Sequence, residues 1–348
     1  MVLIKGIVMK LFFKLMLLVT CASAYATQWK RPDLNTPYNQ ICFLTSHNSF
    51  SSIAYGYFPY AQQSWTITDQ LKNGVRALML DTYEYKGLLN TVTNAVGLSL
   101  GSKPQVVLCH GNCDLSSTLL RPARAGVQTL DSALKEVETF LKNSTTEVVT
   151  IILENYVTDE EFLNNAFNRV KKYILTPQDL YSLHNEWPTL TWMTNNNKRL
   201  VIFSDTTETS RLFFKWDHIA ESQYGTVDPK EAAKERERSQ NYQFADRSFY
   251  LLNFFPHFPL PTTLESWVSI RKLLEHLWKN NNFSEINGKG VRACVQESIT
   301  NTFPGRYPNF IALDYVNFGD PVALVNEIND MARDPQARAN MFRTIEHD

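Results

Sequence analysis

The sequence predicts a single α/β domain built as a TIM-type (β/α)8 barrel. Short runs rich in Val, Ile, Leu and Phe show little polar alternation, which is typical of buried parallel strands. Amphipathic helical patterns lie between these runs, and strand–helix alternation favours a parallel sheet or barrel. No repeat, low-complexity tract or linker divides the 348 residues. A barrel of roughly 250 residues or more therefore fits as one unit.

Seven apolar runs are the predicted strands. They cover residues 41–46, 77–83, 105–110, 148–156, 199–205, 249–255 and 309–316. The helices between them carry capping residues, such as Thr129 before an apolar face over 130–141 and Asp320-Pro321 before 324–328.

Composition excludes several classes of protein. Lys and Arg number 34 against 35 Asp and Glu, which gives a formal net charge of −1. This balance argues against a nucleic-acid partner, because such proteins carry a basic face. An aromatic content of 12% is too high for a disordered chain.

The first 26 residues resemble a signal peptide. Lys5 and Lys10 precede an apolar stretch over 11–19, and small residues near Ala24 and Ala26 form cleavage patterns. The alternative is a membrane anchor, but this stretch is shorter than the roughly 20 residues that a spanning helix needs. We therefore expect residues 1–26 to be removed and 27–348 to form a secreted domain with no transmembrane segment.

Cysteines and glycosylation sequons agree with a secretory route. After removal of Cys21, an even number of cysteines is left, which suggests two disulfides, although buried free thiols are the alternative. Cys109 and Cys113 are close enough to bridge a tight loop, which leaves Cys42 with Cys294. Sequons at Asn143 and Asn282 predict glycosylation.

Polar residues collect where the predicted strands end. They are His47 and Asn48, Asp81, His110, Glu154, Asp205, and Asp314. The carboxyl ends of barrel strands meet at one mouth, where active sites are built. Each residue alone has a structural interpretation, such as a turn or a hydrogen-bonded histidine. Two histidines with carboxylates at one mouth favour general acid–base chemistry, with a hard cation as a possible aid.

Four segments resemble a known family. They read Thr-Ser-His-Asn-Ser at 45–49, Gly-Val-Arg-Ala-Leu-Met-Leu-Asp at 74–81, Leu-Cys-His-Gly at 108–111 and Val-Thr-Ile-Ile-Leu-Glu-Asn at 149–155. Their order and spacing resemble the X-domain of phosphatidylinositol-specific phospholipase C, most closely the secreted single-domain phosphodiesterases. The resemblance spans roughly residues 38–332.

The resemblance implies a distorted TIM barrel and a two-histidine cleavage of a phosphodiester. An inositol 2-hydroxyl would attack phosphorus, the diacylglycerol alkoxide would leave, and a cyclic phosphate would form. By motif, His47 matches the base or stabiliser of the phosphorane, and His110 matches the acid that protonates the leaving oxygen. Asp81 belongs to the same catalytic set, where it would hold an ion or orient the histidines.

The resemblance also implies that the site holds one of two cations, a calcium ion or the side chain of an arginine. Calcium-dependent members use an Asn, two strand-two acids and a strand-four Glu, and this chain keeps three of these as Asn48, Asp81 and Glu154. Met79 replaces the fourth ligand, so Ca²⁺ or another divalent cation is an expectation with an incomplete ligand set. Calcium-independent members place an Arg where this chain has Tyr83.

Substrate recognition is assigned to polar residues near the mouth. Asp205, Asn253 and Asp314 are candidates for binding sugar hydroxyls. The aromatic segment 254–261 could form a lipid-facing rim, although core packing is the commoner fate of such residues. We expect a phosphodiester substrate, most simply a lipid, with peripheral membrane contact. The rival functions are a sphingomyelinase D or glycerophosphodiesterase type of enzyme on the same barrel, and a catalytically silent secreted binding protein.

Overall fold

A nine-stranded sheet forms the centre of the molecule. The computed structural model describes residues 27–57, 61–85, 104–109, 128–240, 247–256, 282–303 and 305–331, apart from the side chains of Glu237 and Asn282. The strands are β1 (Phe43–Ser46), β2 (Ala77–Tyr85), β3 (Gln105–Leu108), β4 (Val149–Asn155), β5 (Leu200–Ser204), β6 (Phe213–Phe214), β7 (Ile219–Glu221), β8 (Phe249–Phe254) and β9 (Phe310–Leu313).

Eight of these strands follow the path of a parallel barrel. The order β6-β5-β4-β2-β1-β9-β8-β7 is parallel at every pairing within the described part of the chain. β6 and β7 lie at the two ends of this path and are separated by a helix of only four residues. The predicted TIM-type α/β fold is therefore confirmed, with the expected distortion at the β6–β7 gap.

Helices cover the outside of the sheet. They are α1 (Ile67–Lys72), α2 (Leu130–Asn143), α3 (Glu160–Ala166), α4 (Pro177–Ser182), α5 (Leu190–Asn195), α6 (Lys215–His218), α7 (Pro229–Ala233), α8 (Glu237–Gln240), α9 (Asn282–Glu285), α10 (Val291–Glu297) and α11 (Pro321–Met331). A wider π turn at Ile286–Gly290 joins α9 to α10, and a second π turn at Ser298–Thr302 continues the helix after α10. No helix in these described ranges is long and apolar enough to cross a bilayer.

The third predicted strand has a different direction from the one expected. β3 pairs antiparallel with the distal half of β2, with Thr82 opposite Leu108 and Tyr85 opposite Gln105. β2 has nine residues, so it extends beyond its parallel partners and offers this extra edge. β3 returns along that edge, and the Cys109 N–H donates to the Asp81 carbonyl. The chain thus comes back to Asp81 antiparallel to β2, and the parallel direction expected for this strand is wrong.

Two strands were not predicted because they are too short to show a hydrophobic pattern. β6 has two residues and β7 has three, and the charged α6 lies between them. Hydrophobic periodicity needs four or more residues to be recognised. These strands are identified only by their pairing with β5 and β8.

The expected disulfide between Cys42 and Cys294 is wrong. Both residues are buried free thiols, and burial raises the pKa of Cys294 to about 12. The Cys42 backbone lies just before β1, where both its N–H and its carbonyl bond to Asn329 of α11, whereas Cys294 lies on α10. An even number of cysteines in the sequence does not show which of them lie close together. Cys109 is disulfide-bonded, and Cys113, its expected partner, lies outside the described residues.

Aromatic side chains fill the amino-terminal end of the barrel. Phe43, Phe249 and Phe310 are the first residues of three adjoining strands, and their rings pack within one cluster with Tyr38 and Trp187. This packing leaves the carboxyl-terminal end of the barrel to polar side chains.

Arg199 closes the carboxyl end of α2. Its guanidinium donates to the carbonyls of Leu141 and Ser144, and Arg199 is only 4% exposed. Terminal helix carbonyls lack intrahelical partners, so a buried arginine satisfies groups that would otherwise lose water.

We predict that Arg199→Met lowers the free energy of unfolding by about 1–3 kcal/mol, because buried carbonyls lose their donors. Urea unfolding monitored by circular dichroism measures this change. The control is Arg169→Met, whose ion pair with Asp131 is half exposed and should contribute less than about 1 kcal/mol. Equal losses in the two variants would contradict the assignment.

We predict a pH-dependent stability that comes from His218. Its ring packs edge-on against Phe213 and Trp187, and burial lowers its pKa to about 4 from 6.5. Between those values the unfolded chain binds the additional proton, so stability is complete above about pH 6.5 and falls as the pH drops towards 4. His218→Gln should remove about 1–3 kcal/mol of this pH dependence. Denaturant titrations at several pH values measure it, with exposed His184→Gln as control; matching curves for wild type and His218→Gln would refute it.

Candidate functional site

A cavity of about 190 Å³ opens at the carboxyl end of the strands. Polar side chains from six different strands or their following residues line it. They are His47 after β1, Asp81 of β2, Glu154 of β4, Asp205 after β5, Glu221 of β7 and Asn253 of β8. The structure therefore brings together five of the residues that the sequence predicted, and adds Glu221.

His47 and Asp314 form a hydrogen-bonded pair at this mouth. The His47 Nδ1 atom lies 2.7 Å from Asp314 Oδ1, and the two side chains are 15% and 2% exposed. Ser46 pairs with Leu313 in register, so each member of the pair is the residue that follows a paired strand end. A carboxylate can only accept, so Nδ1 donates and Nε2 stays available to the cavity. Asp314, expected to bind sugar, thus contacts the histidine instead.

Phe255 covers one face of the His47 ring. The ring centroids are 3.7 Å apart and the planes differ by 5°. The sequence suggested either a lipid-facing rim or core packing for the aromatic segment 254–261, which includes Phe255. Phe255 is 4% exposed and lines the cavity, so at this position the ring supports the histidine. Residues 257–261 lie outside the described part of the chain.

Asp81 and Glu154 lie side by side on neighbouring strands. They are partners in the β2–β4 register, and both line the cavity. The Tyr156 hydroxyl donates to Glu154, and the Tyr156 ring stacks on Tyr83 at 4.3 Å. Burial and the Glu154 charge raise the pKa of Tyr156, so its hydroxyl stays protonated as a donor.

The described residues do not fit a complete calcium site. Of the expected ligands, Asp81 and Glu154 line the cavity, while Asn48 is 1% exposed in the turn after β1 and is not among the lining residues. The thioether-bearing Met79 lines it instead, and within the described ranges no three His, Cys, Asp or Glu side chains are grouped to hold a metal. Calcium takes six to eight oxygen ligands, and the two expected carboxylates that line the cavity supply too few.

Lys215, Glu221 and Arg236 form a buried charge cluster on the opposite wall. Glu221 Oε2 lies 2.8 Å from Lys215 Nζ and 3.1 Å from an Arg236 nitrogen, and the Asn253 amide donates to Oε1. Burial alone would raise the pKa of Glu221, but the two cations outweigh it and hold that pKa below its usual value. Sequence analysis missed this cluster because β6 and β7 were not recognised.

Asp205 completes the same wall. Burial raises the pKa of its carboxyl group, although the Asn155 N–H donates to Oδ1 at 2.8 Å and Arg238 lies 3.2 Å from Oδ2.

The remaining predicted positions differ in whether the structure describes them. Asn143 is exposed at the end of α2, whereas His110 and the side chain of Asn282 lie outside the described part of the chain.

Comparisons with known proteins identify relatives of this chain. The family model PI-PLC X 1 matches residues 34–329. A PI-PLC X domain-containing protein of Arabidopsis thaliana is 30% identical over 64% of this chain, and the chain spans 50% of that relative's length. PI-PLC X domain-containing protein 1 of Arthroderma benhamiae is 25% identical over 84% of this chain and 86% of that protein.

Two further comparisons are with a more distant relative and with a solved structure. An Arthroderma benhamiae protein named as secreted is 23% identical over 75% of this chain and 53% of its own length. A phosphatidylinositol-specific phospholipase C of Staphylococcus aureus superposes with a TM-score of 0.50 at 13% identity, over 85% of this chain and 94% of that one, which supports the fold. With a family model that covers most of its length and a matching barrel, this chain belongs to the PI-PLC X family.

Proposed function

We propose that this protein is a phosphodiesterase that cleaves an inositol phospholipid or a related phosphodiester. The observation that carries the proposal is the His47–Asp314 pair at the mouth of a cavity whose far wall is polar. A carboxylate that holds Nδ1 leaves Nε2 of the imidazole as a base directed to a substrate.

In the proposed reaction, a substrate hydroxyl adjacent to the phosphodiester attacks phosphorus. His47 Nε2 takes the hydroxyl proton as the new P–O bond forms. The P–O bond to the alcohol then breaks, and the leaving alkoxide needs a proton because it is a poor leaving group. The sequence motif assigns this second proton to His110. A cyclic phosphate and a free alcohol result, with one proton more on His47 and one fewer on His110. If water opens the cyclic phosphate, His110 takes a proton from that water and His47 returns its proton to the ring oxygen; if the cyclic phosphate departs, His47 releases its proton to solvent and His110 takes one up.

The polar wall supports a polyol as the group next to the phosphate. The Asn253 Oδ1 atom is buried and has no hydrogen-bond partner among the described residues. A buried acceptor without a donor costs free energy, which a bound hydroxyl would recover. Glu221 and Asp205 add acceptors, and Lys215 and Arg236 add donors at the same wall. Mixed acceptors and donors suit several hydroxyl groups on one ring.

Secretion and membrane contact belong to the same proposal. The N-terminal pattern over 1–26 and a relative named as a secreted protein support an extracellular location. Exposed sequon residue Asn143 and the disulfide at Cys109 are consistent with that compartment. We propose a lipid substrate reached by peripheral contact with a membrane surface.

We predict that His47→Asn lowers turnover of phosphatidylinositol micelles by about 10²–10⁴-fold, because the general base is lost. Phosphorus NMR of the products measures the cyclic phosphate directly. Exposed His184→Asn is the control, and Asp314→Asn should give an intermediate loss because the imidazole remains. Intact phosphatidylinositol with cleavage of sphingomyelin or a glycerophosphodiester would indicate the rival enzymes. If every diester stays intact, the chain is a binding protein and the proposal fails.

We predict that chelation leaves this turnover unchanged. The expected ligand set is incomplete at Met79, and Lys215 and Arg236 already supply positive charge to the cavity. The measurement compares rates with EDTA, with added Ca²⁺ and without either. Loss of turnover in EDTA and its recovery with Ca²⁺ would show instead that Asn48, Asp81 and Glu154 hold the ion with oxygens from water or substrate.

A further inference from the structure

We propose that Phe255 and Asn287, which both belong to the chain between β8 and β9, are the positioning residues of the His47–Asp314 pair. The proposal rests on the proposed function, because it concerns the geometry of the base in that reaction. Neither residue carries a proton to or from a substrate. Each acts through one member of the pair.

The hydrogen bond to Asp314 alone does not fix the imidazole. It sets the direction of Nδ1, but the ring can still tilt about the line that joins Nδ1 to the carboxylate. The parallel contact with Phe255 at 3.7 Å removes that freedom, because tilting the ring would separate or clash the two faces. Phe255 is 4% exposed, so its own ring is held by its surroundings. Together the two contacts direct Nε2 along one line.

Asn287 fixes the other member of the pair through the backbone. Its side-chain amide donates to the carbonyl of Asp314 at 2.8 Å and to the carbonyl of Tyr315 at 3.0 Å. Tyr315 has a φ of +49°, a left-handed conformation that costs a non-glycine residue free energy. Asn287 is 1% exposed, and its two bonds stabilise the turn that directs the Asp314 carboxylate to His47.

The turn that carries Asn287 is pressed against the loop after β9. A Cβ atom built on Gly319 would lie 2.6 Å from the Gly288 nitrogen and 2.6 Å from the Ser284 carbonyl oxygen. Only glycine permits this approach, and Gly319 also has a φ of +73°. Asn287 belongs to a π turn, a form of helix that is often found at functional sites. The backbone of Asp314 is thus held on a rigid support.

The placement explains why this connection should matter for catalysis. Phe255 follows β8, and Asn287 precedes β9, so a single connection contacts the histidine on its face and the aspartate on its backbone. Displacement of a catalytic group by about 1 Å can cost about a hundredfold in rate. We therefore expect small changes at either position to reduce kcat by moving the His47–Asp314 pair.

The first experiment replaces the ring that supports His47. Phe255→Leu should lower kcat by about tenfold to a hundredfold with little change in KM, and Phe255→Tyr should restore it because the ring face is kept. Proton NMR of the full chain provides a second readout, since a stacked ring shifts the His47 imidazole protons upfield. The leucine variant should lose that shift. The control is Phe249→Leu, which removes a buried ring at the opposite end of the same strand.

The second experiment removes the backbone support of Asp314. Asn287→Leu should lower kcat and change the His47 imidazole resonances, because the aspartate turn loses two donors. The matched control is Asn329→Leu, in which a buried asparagine also loses two bonds to the backbone, here at Cys42 before β1. It should reduce stability while leaving the imidazole resonances and kcat unchanged.

The outcomes separate the two proposals. Unchanged kcat and unchanged imidazole shifts in Phe255→Leu would overturn the positioning role. Equal effects of Asn287→Leu and Asn329→Leu on the imidazole and on kcat would also overturn it, since both would then reflect stability. If wild type turns over no phosphodiester, the proposed function fails, and the NMR shifts alone decide the positioning: shifts that depend on both Phe255 and Asn287 support it, and shifts that depend on neither refute it.

Discussion

The parallel pairing of β1 with β9 is the constraint on which the site depends. Because Ser46 lies opposite Leu313, the next residue on each strand, His47 and Asp314, emerges at the same height of the barrel. The His47 N–H also donates to the Leu313 carbonyl, so the backbone and the side chains make the same connection. A slip of one residue would send one of the two side chains to the other face of the sheet. The β1–β9 pairing and the His47–Asp314 contact are therefore one geometric event, although these residues are 267 positions apart.

The two ends of the barrel carry different kinds of side chain. Aromatic rings fill the amino-terminal end, and carboxylates, amides and cations line the cavity at the carboxyl-terminal end. The aromatic amino-terminal end stabilises the fold by burying apolar area. The polar end carries buried charge that costs solvation, and the chain offsets this cost by pairing Glu221 with two cations. Lys215 begins α6 and Glu221 ends β7, so this ion pair lies at the β6–β7 gap.

The chain differs from both cation arrangements expected for its family. Met79 stands where an acid would complete a metal site, and Tyr83, where an arginine would stand, stacks on Tyr156. The described cations of the cavity instead lie on the wall built after β6 and β7. Lys215 and Arg236 are held in place by Glu221, so they need not reorganise when negative charge develops nearby. Such a wall suits the anionic phosphodiester of the proposed function.

The sequence by itself determined the parallel α/β barrel, its main strands, and the polar residues that follow them. These features are local: an apolar run forms a buried strand, and a polar residue after it emerges at the mouth. Only the tertiary structure decided that β3 returns antiparallel, that Cys42 and Cys294 stay apart, and that Asp314 contacts His47. It also decided that Phe255 supports the histidine and that Glu221 pairs with Lys215 and Arg236. Each of these depends on which distant segments become neighbours, and that information lies in register and packing, which no local pattern of residues carries.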